Sequence, residues 1–179
     1  MAKILLLIAQ KGFQSKEYAD TKQELEAAGH LVVTGSVTEG KAVSHMNEDV
    51  HVDIALSRVN AADYDAIFAI GGPGALLSLD NADVSRIFNE AQAQGMMLYG
   101  AICIAPRILA KAGVLKGLHA TGWDEDAKLE SIFSNHGVMY THKPVVVDGR
   151  AITANGPIAA KEFGRMICET LATEGVEKT

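Results

Sequence analysis

Cys103 is the residue of this chain with the clearest capacity for covalent chemistry. It stands in Gly100-Ala101-Ile102-Cys103-Ile104-Ala105-Pro106, where the apolar run Met96 to Ile102 gives way to a proline suited to the first turn of a helix. A thiol at such a strand-to-helix corner meets the partial positive charge of a helix start, which favours thiolate. Packing is the alternative reading, because free cysteine is among the most buried residue types and Ala101, Ile102 and Ile104 flank this one. A second apolar run, Asp65 to Ile70, ends in Gly71-Gly72-Pro73-Gly74-Ala75, and backbone N–H groups of such a turn can cradle an oxyanion opposite the thiol. A phosphate loop fits poorly, since the final glycine of GxGxxG is missing and GK[ST] occurs nowhere. Glu17 follows the first apolar run by one loop, in the first turn of the first helix, so its carboxyl belongs at the same sheet edge. A solvated helix-start carboxylate is the plainer reading.

Other reactive side chains make weaker cases. His45, Glu48, His51 and Asp53 are the one set with ligand-like spacing. They lack an HExxH pattern and a cysteine and lie in a polar stretch read as a surface loop, so no metal is expected. His119, His136 and His142 are scattered over loop or strand-edge positions. Cys168 shares a helical stripe with Phe163, Met166, Ile167 and Leu171 and is expected in the core.

The scaffold must bring several strand ends to one edge. Lys3 to Ala9 has the unbroken apolarity of a central parallel strand. After a loop over Gln10 to Gln14, Ser15 is the expected cap of a helix to about Ala28, stopped by Gly29. Leu31 to Thr34 is a strand, and Gly35 to Asn60 holds a short strand or excursion. Strand Asp65 to Ile70, glycine turn and helix Asp83 to Gln94, closed by Gly95, make a βα unit; strand Met96 to Ile102 and a helix from Pro106 to Gly113 make another. A short strand at Leu118 to Thr121, a helix from Asp124 to about Phe133, a hairpin turning at Asp148-Gly149 between Pro144 to Val147 and Ala151 to Ala154, and a C-terminal helix opened by Pro157 complete the chain. Repeated βα units imply an α/β fold: an open, mostly parallel sheet between helices, with ligands beyond the strand C-termini.

Composition narrows the partners. With 179 residues, 48% of them hydrophobic, the chain can bury one proper core, and it reads as a single domain over 1–179. Sixteen basic against twenty-two acidic residues give a net charge of -6, so neither a nucleic acid nor an anionic membrane is an expected partner. The N-terminal apolar run, Ile4 to Ala9, is too short for a signal core or a membrane span, and a cytoplasmic location is the default expectation. Without CxxC spacing, the two cysteines are expected as thiols.

Taken together, Tyr64 to Ile67 leading into Gly71 to Ala75, Gly100 to Pro106 with Leu109-Ala110 and Ala112 to Gly117, Val147-Asp148-Gly149 and Thr153 to Pro157 resemble the ThiJ/PfpI superfamily, the DJ-one family. The resemblance runs from Lys3 to about Leu171. It implies a flavodoxin-like three-layer sandwich of the class I glutamine amidotransferase-like group, with a nucleophile elbow at Cys103 held in strained backbone geometry. It further implies Glu17 as a protonated acid/base partner hydrogen-bonded to the thiolate, oxyanion donors at the backbone N–H groups of Gly74 and Ile104, and a pocket including Gly72, Pro73 and Trp123. A homodimer or higher homo-oligomer is also implied.

One departure shapes the expected activity. Peptidases of the PfpI type carry a histidine directly after the cysteine, where this chain has Ile104, and a second family location falls at Trp123. Amide hydrolysis needs a base for the nucleophile and an acid for the leaving amine, so the peptidase reading weakens unless His119, Asp124, Glu125 or a neighbouring subunit substitutes. Thiol addition to a 2-oxoaldehyde releases no amine. The resemblance to Cys/Glu family members without the peptidase histidine implies a cofactor-free glyoxalase or deglycase acting on methylglyoxal, glyoxal or early glycation adducts. A cysteine peptidase is the alternative, and an oxidative-stress sensor working through Cys103 oxidation is a reading of another class.

Overall fold

The computed structural model describes residues 1–176. In chain order the strands are β1 (Lys3–Leu7), β2 (Lys11–Phe13), β3 (Leu31–Ser36), β4 (Gly40–Ser44), β5 (Asp49–Val52), β6 (Ile54–Ala55), β7 (Ala66–Ala69), β8 (Leu98–Ile102), β9 (His119–Ala120), β10 (Met139–Tyr140), β11 (Val145–Asp148) and β12 (Ala151–Ala154). The helices are α1 (Ser15–Ala27), α2 (Ala75–Ser78), α3 (Ala82–Ala93), α4 (Pro106–Lys111), α5 (Leu129–Asn135) and α6 (Ala160–Val176).

Seven strands form one sheet in the order β11-β12-β8-β7-β1-β3-β6, parallel throughout except for the β11-β12 hairpin. The unbroken apolarity of β1 suits its interior position, because both of its faces are covered. Leu5, Leu7, Ile67 and Tyr99 pack on one side with Ile87 and Phe88 of α3 and Leu109 of α4. Ile4, Leu6, Phe68 and Ile152 pack on the other with Leu25 of α1 and Phe163 of α6. Each such aliphatic or aromatic side chain contributes roughly 1.5–3 kcal/mol over its exposed state. Two helical layers thus sandwich a mostly parallel sheet, and strands β1, β7 and β8 deliver their C-terminal ends to one edge.

The local departures from expectation have identifiable causes. Gln14, not Ser15, caps α1: its Oε1 accepts from Lys16 N at 2.7 Å and Glu17 N at 3.3 Å. The expected loop over Gln10 to Gln14 contains β2, which pairs with β4 and, through β4, with β5 in a separate three-stranded sheet. That pairing organises the stretch after Gly35, expected to hold a short strand or excursion, as β4, β5 and the turn between them. The helix expected from Asp124 begins only at Leu129, whose N–H is accepted by Asp124 Oδ1 at 2.7 Å; the intervening residues turn through Ala127 at φ 55°. The hairpin pairs Asp148 with Ala151, moving its turn one residue onward to Gly149 and Arg150. Cys168 is half-buried at the margin of the core and not inside it.

Candidate active site

Cys103 directly follows β8 and adopts φ 65°, a left-handed conformation costing a residue other than glycine of order 1–3 kcal/mol. Neighbouring elements hold it there from both sides. Its N–H donates to Ala154 O at the end of β12 (2.9 Å), and its carbonyl accepts from Trp123 N (2.7 Å). The side chain is 8% exposed and lines a cavity of about 370 Å³ at the carboxyl edge of the sheet, within the size range of small-molecule sites.

Beneath the thiol lies Glu17, brought there by the first turn of α1 and fully buried. Its Oε2 accepts from Gly71 N at 3.0 Å. Its Oε1 is buried without a nitrogen or oxygen partner, and Cys103 is its side-chain neighbour. Gly71 is the hinge of this arrangement. A Cβ there would lie 2.6 Å from Cys103 Cβ, 2.9 Å from Ile102 O and 3.0 Å from Glu17 Oε2, so only glycine lets carboxyl and thiol meet.

Burial governs the protons of this pair. It raises the Glu17 carboxyl from its ordinary value of 4.5 to about 7, while hydrogen bonds from Cys103 and Gly71 oppose the rise. Burial also pushes the Cys103 thiol up, and the adjacent Glu17 charge and hydrogen bond add to the effect; backbone N–H groups of Ile104 and Gly72 pull it down. Burial therefore works against the thiolate expected from the helix start, and it brings the Glu17 carboxyl to where it can hold or release a proton near neutrality. The start of α4, a helix of six residues beginning at Pro106, does not offset the lost hydration.

The oxyanion donors also need correction. Gly74 N donates to Gly12 O at 2.9 Å, and a Cβ on Gly74 would lie 1.8 Å from Lys11 O. Its N–H is engaged with the β2 crossing and unavailable to a ligand. Gly72 and Ile104 are the residues whose N–H groups face the sulfur. Gly72, Pro73, Ile104 and Trp123 all line the cavity, joined by Gln14, Glu125 and Pro157.

His45 also lines it. Pairing of β2 with β4 carries it there, and its N–H donates to Phe13 O at 2.9 Å. Its ring Nδ1 lies 3.2 Å from Phe13 O and 3.4 Å from Ser15 N. The polar surface loop expected for His45 to Asp53 is instead the β4-β5 hairpin and its turn, in which Glu48 approaches Ser44 Oγ and His51 approaches Asp53. Among the described residues no three His, Cys, Asp or Glu side chains converge as a metal-ligand set. His119 is tied to Asp148 Oδ2 at 3.0 Å and is not part of the cavity wall. No helix among the described residues is long and apolar enough to cross a membrane.

Comparison with known proteins matches the DJ-1/PfpI family model over residues 2–170. Protein dj-1beta of Drosophila melanogaster is 32% identical over 180 residues, covering 99% of this chain and 93% of that one. The Bacillus subtilis protein named "Putative cysteine protease YraA" is 30% identical over 167 residues, covering 92% and 96%. The crystal structure of a ThiJ/PfpI domain protein from Brachyspira murdochii superposes with a TM-score of 0.87 at 26% identity, covering 96% of each chain. An elbow cysteine over a buried glutamate, a mostly parallel sandwich and these full-length matches converge: the chain belongs to the DJ-1/PfpI family.

Proposed function

We propose that this protein is a cofactor-free enzyme of the glyoxalase type, converting 2-oxoaldehydes such as methylglyoxal to 2-hydroxy acids and acting also on early glycation adducts. The observation that carries the reading is the buried Glu17 carboxyl, whose Oε1 has no nitrogen or oxygen partner and whose side-chain neighbour is the Cys103 thiol. A carboxyl raised to about 7 is matched to receiving and returning a proton near neutral pH. In this reading Sγ adds to the aldehyde carbon while Glu17 takes the thiol proton. Glu17 returns that proton to the former carbonyl oxygen, which the N–H groups of Ile104 and Gly72 stabilise, giving a hemithioacetal. The freed Glu17 carboxylate then removes the proton on C1, and the electrons of that bond form the C1–C2 double bond of an enediolate as the C2 carbonyl electrons move to oxygen; return of that proton to C2, with the C1 hydroxyl proton passing to the C2 oxygen, leaves a thioester. Water cleaves the thioester, releasing lactate and the thiol.

A second reading, cysteine peptidase, draws support from His45 on the cavity wall and from the name borne by the Bacillus subtilis relative. Against it stands the lack, among the described residues, of a hydrogen bond between the His45 ring and Cys103; the ring is held through Nδ1 near Phe13 O and Ser15 N. The purified protein should be offered methylglyoxal and, separately, a panel of fluorogenic peptides. Repeated formation of lactate without amide cleavage is expected. Amide cleavage without lactate transfers the site to the peptidase reading, and product that stops at one equivalent per Cys103 transfers it to a stoichiometric thiol sensor.

A further inference from the structure

Arg107 is a buried cation in an otherwise apolar turn of α4, beside the buried Ile108, Leu109 and Ala110. Removing a guanidinium from water is costly unless its donors are matched, and here both Nη groups are matched by a single loop while Nε is left without a partner. Nη2 donates to Asp126 Oδ1 at 2.6 Å and to the Trp123 carbonyl at 3.0 Å, while Nη1 donates to Asp126 Oδ2 at 3.0 Å. The guanidinium also lies over the Trp123 ring, 5.3 Å from its centroid. Trp123 in turn donates its N–H to Cys103 O at 2.7 Å. A closed circuit results: Cys103 connects through the chain to Arg107, Arg107 to the Trp123 carbonyl, and the Trp123 N–H back to Cys103.

We propose that Arg107 is a positioning residue, whose two-pronged hold on Asp126 and on the Trp123 carbonyl sets the Trp123 wall of the cavity and fixes the elbow that presents Cys103. The same hold explains why Asp124 to Lys128 forms a loop where an acidic helix start was expected. The proposal goes beyond the glyoxalase reading and does not depend on it. Its readouts are the environment of Trp123 and the reactivity of Cys103 toward a simple reagent.

Trp123 is the sole tryptophan, so fluorescence excited selectively at tryptophan reports on the wall alone. In a Cys168→Ser background, where Cys103 is the sole thiol, iodoacetamide reports on the elbow. Asp126→Ala and Arg107→Lys should shift Trp123 emission to longer wavelength and steepen its quenching by acrylamide. They should change the Cys103 alkylation rate by about fivefold while the far-ultraviolet circular dichroism stays that of the parent. Lysine fails because one ammonium cannot span acceptors arranged for a planar fork. Asp126→Asn, which keeps the acceptor oxygen, should restore part of both readouts. Should the Arg107 variants not fold, the Asp126→Ala and Asp126→Asn variants decide, since that side chain is 28% exposed and asparagine keeps an acceptor for the guanidinium. Unchanged fluorescence and alkylation in folded Asp126→Ala would overturn the proposal. Altered fluorescence with an unaltered alkylation rate would also overturn it, reducing the pair to an anchor of the loop.

Discussion

Two hollows lie at opposite edges of the same sheet, and each contains a cysteine. The larger, about 760 Å³, lies at the amino edge, lined by Ala2, His30, Tyr64, Asp65, Met96 and Cys168 among others; the smaller, about 370 Å³, surrounds Cys103. Burial raises both thiols. They differ in what surrounds the sulfur. At the amino edge three groups are engaged: His30 Nδ1 accepts from Ala2 N at 3.1 Å, Asp65 Oδ2 accepts from Lys3 N at 2.8 Å, and Cys168 Sγ on α6 lies 3.8 Å from Glu24 O. At the carboxyl edge one carboxyl oxygen is unspent and the cysteine backbone is strained. A hollow becomes a reaction site through convergent uncommitted groups, and its volume is a poor guide.

Substitution of the two cysteines is the strongest way to break this comparison. Cys103→Ala should lower 2-oxoaldehyde turnover by about 10³-fold or more, whereas Cys168→Ala should leave it within about twofold, as expected of a marginal packing position. Equal losses in steady-state assays of the two variants would erase the distinction between the edges. Glu17→Gln comes next, preserving shape while removing the proton carrier; kcat should fall by roughly 10²–10⁴-fold with Cys103 still open to alkylation.

Glu17 should also leave a mark on stability. The folded chain holds its carboxyl proton more tightly than the unfolded chain does, with a pKa of about 7 against 4.5. This contribution is fully present below 4.5 and is lost as pH rises through about 7, amounting to on the order of 3 kcal/mol. Denaturant unfolding of wild type and Glu17→Gln at about pH 5 and about pH 8 should show the variant losing less stability on going to the higher pH. A parallel response in both proteins would contradict the burial account of this carboxyl. The smallest of the expected effects belongs to Gly71→Ala, which should destabilise by about 1–3 kcal/mol through overpacking between Cys103 Cβ and Ile102 O, visible as a lower denaturant midpoint.

The Cys103 corner was legible because its signals are local: an apolar strand before it, Pro106 after it, and a matching strand and glycine turn at Gly71 to Ala75. Glu17 was legible for the same reason, since one helix turn after β1 fixes its edge. His45 was not legible as a wall residue. It reaches the cavity through the register of β2 on β4, Lys11 against Val43 and Phe13 against Ser44, a tertiary pairing of a strand with only three residues. Gly74 failed as a donor for a similar reason, because Gly12, which accepts its N–H, is remote in sequence. Asp124-Glu125-Asp126 has the charge pattern of a helix start; the buried fork of Arg107 overrides it by drawing Asp126 and the Trp123 carbonyl to one point. A lone arginine between Pro106 and Ile108 was the available signal.

The central claim is that Cys103 and Glu17 act as one catalytic pair on a 2-oxoaldehyde. Steady-state lactate formation from methylglyoxal by wild type, Cys103→Ala and Glu17→Gln, normalised to total thiol, tests it most directly. The account predicts many lactate molecules per wild-type chain and collapse of turnover in both variants. Product limited to one per thiol in the wild type, or full turnover without Glu17, would contradict it.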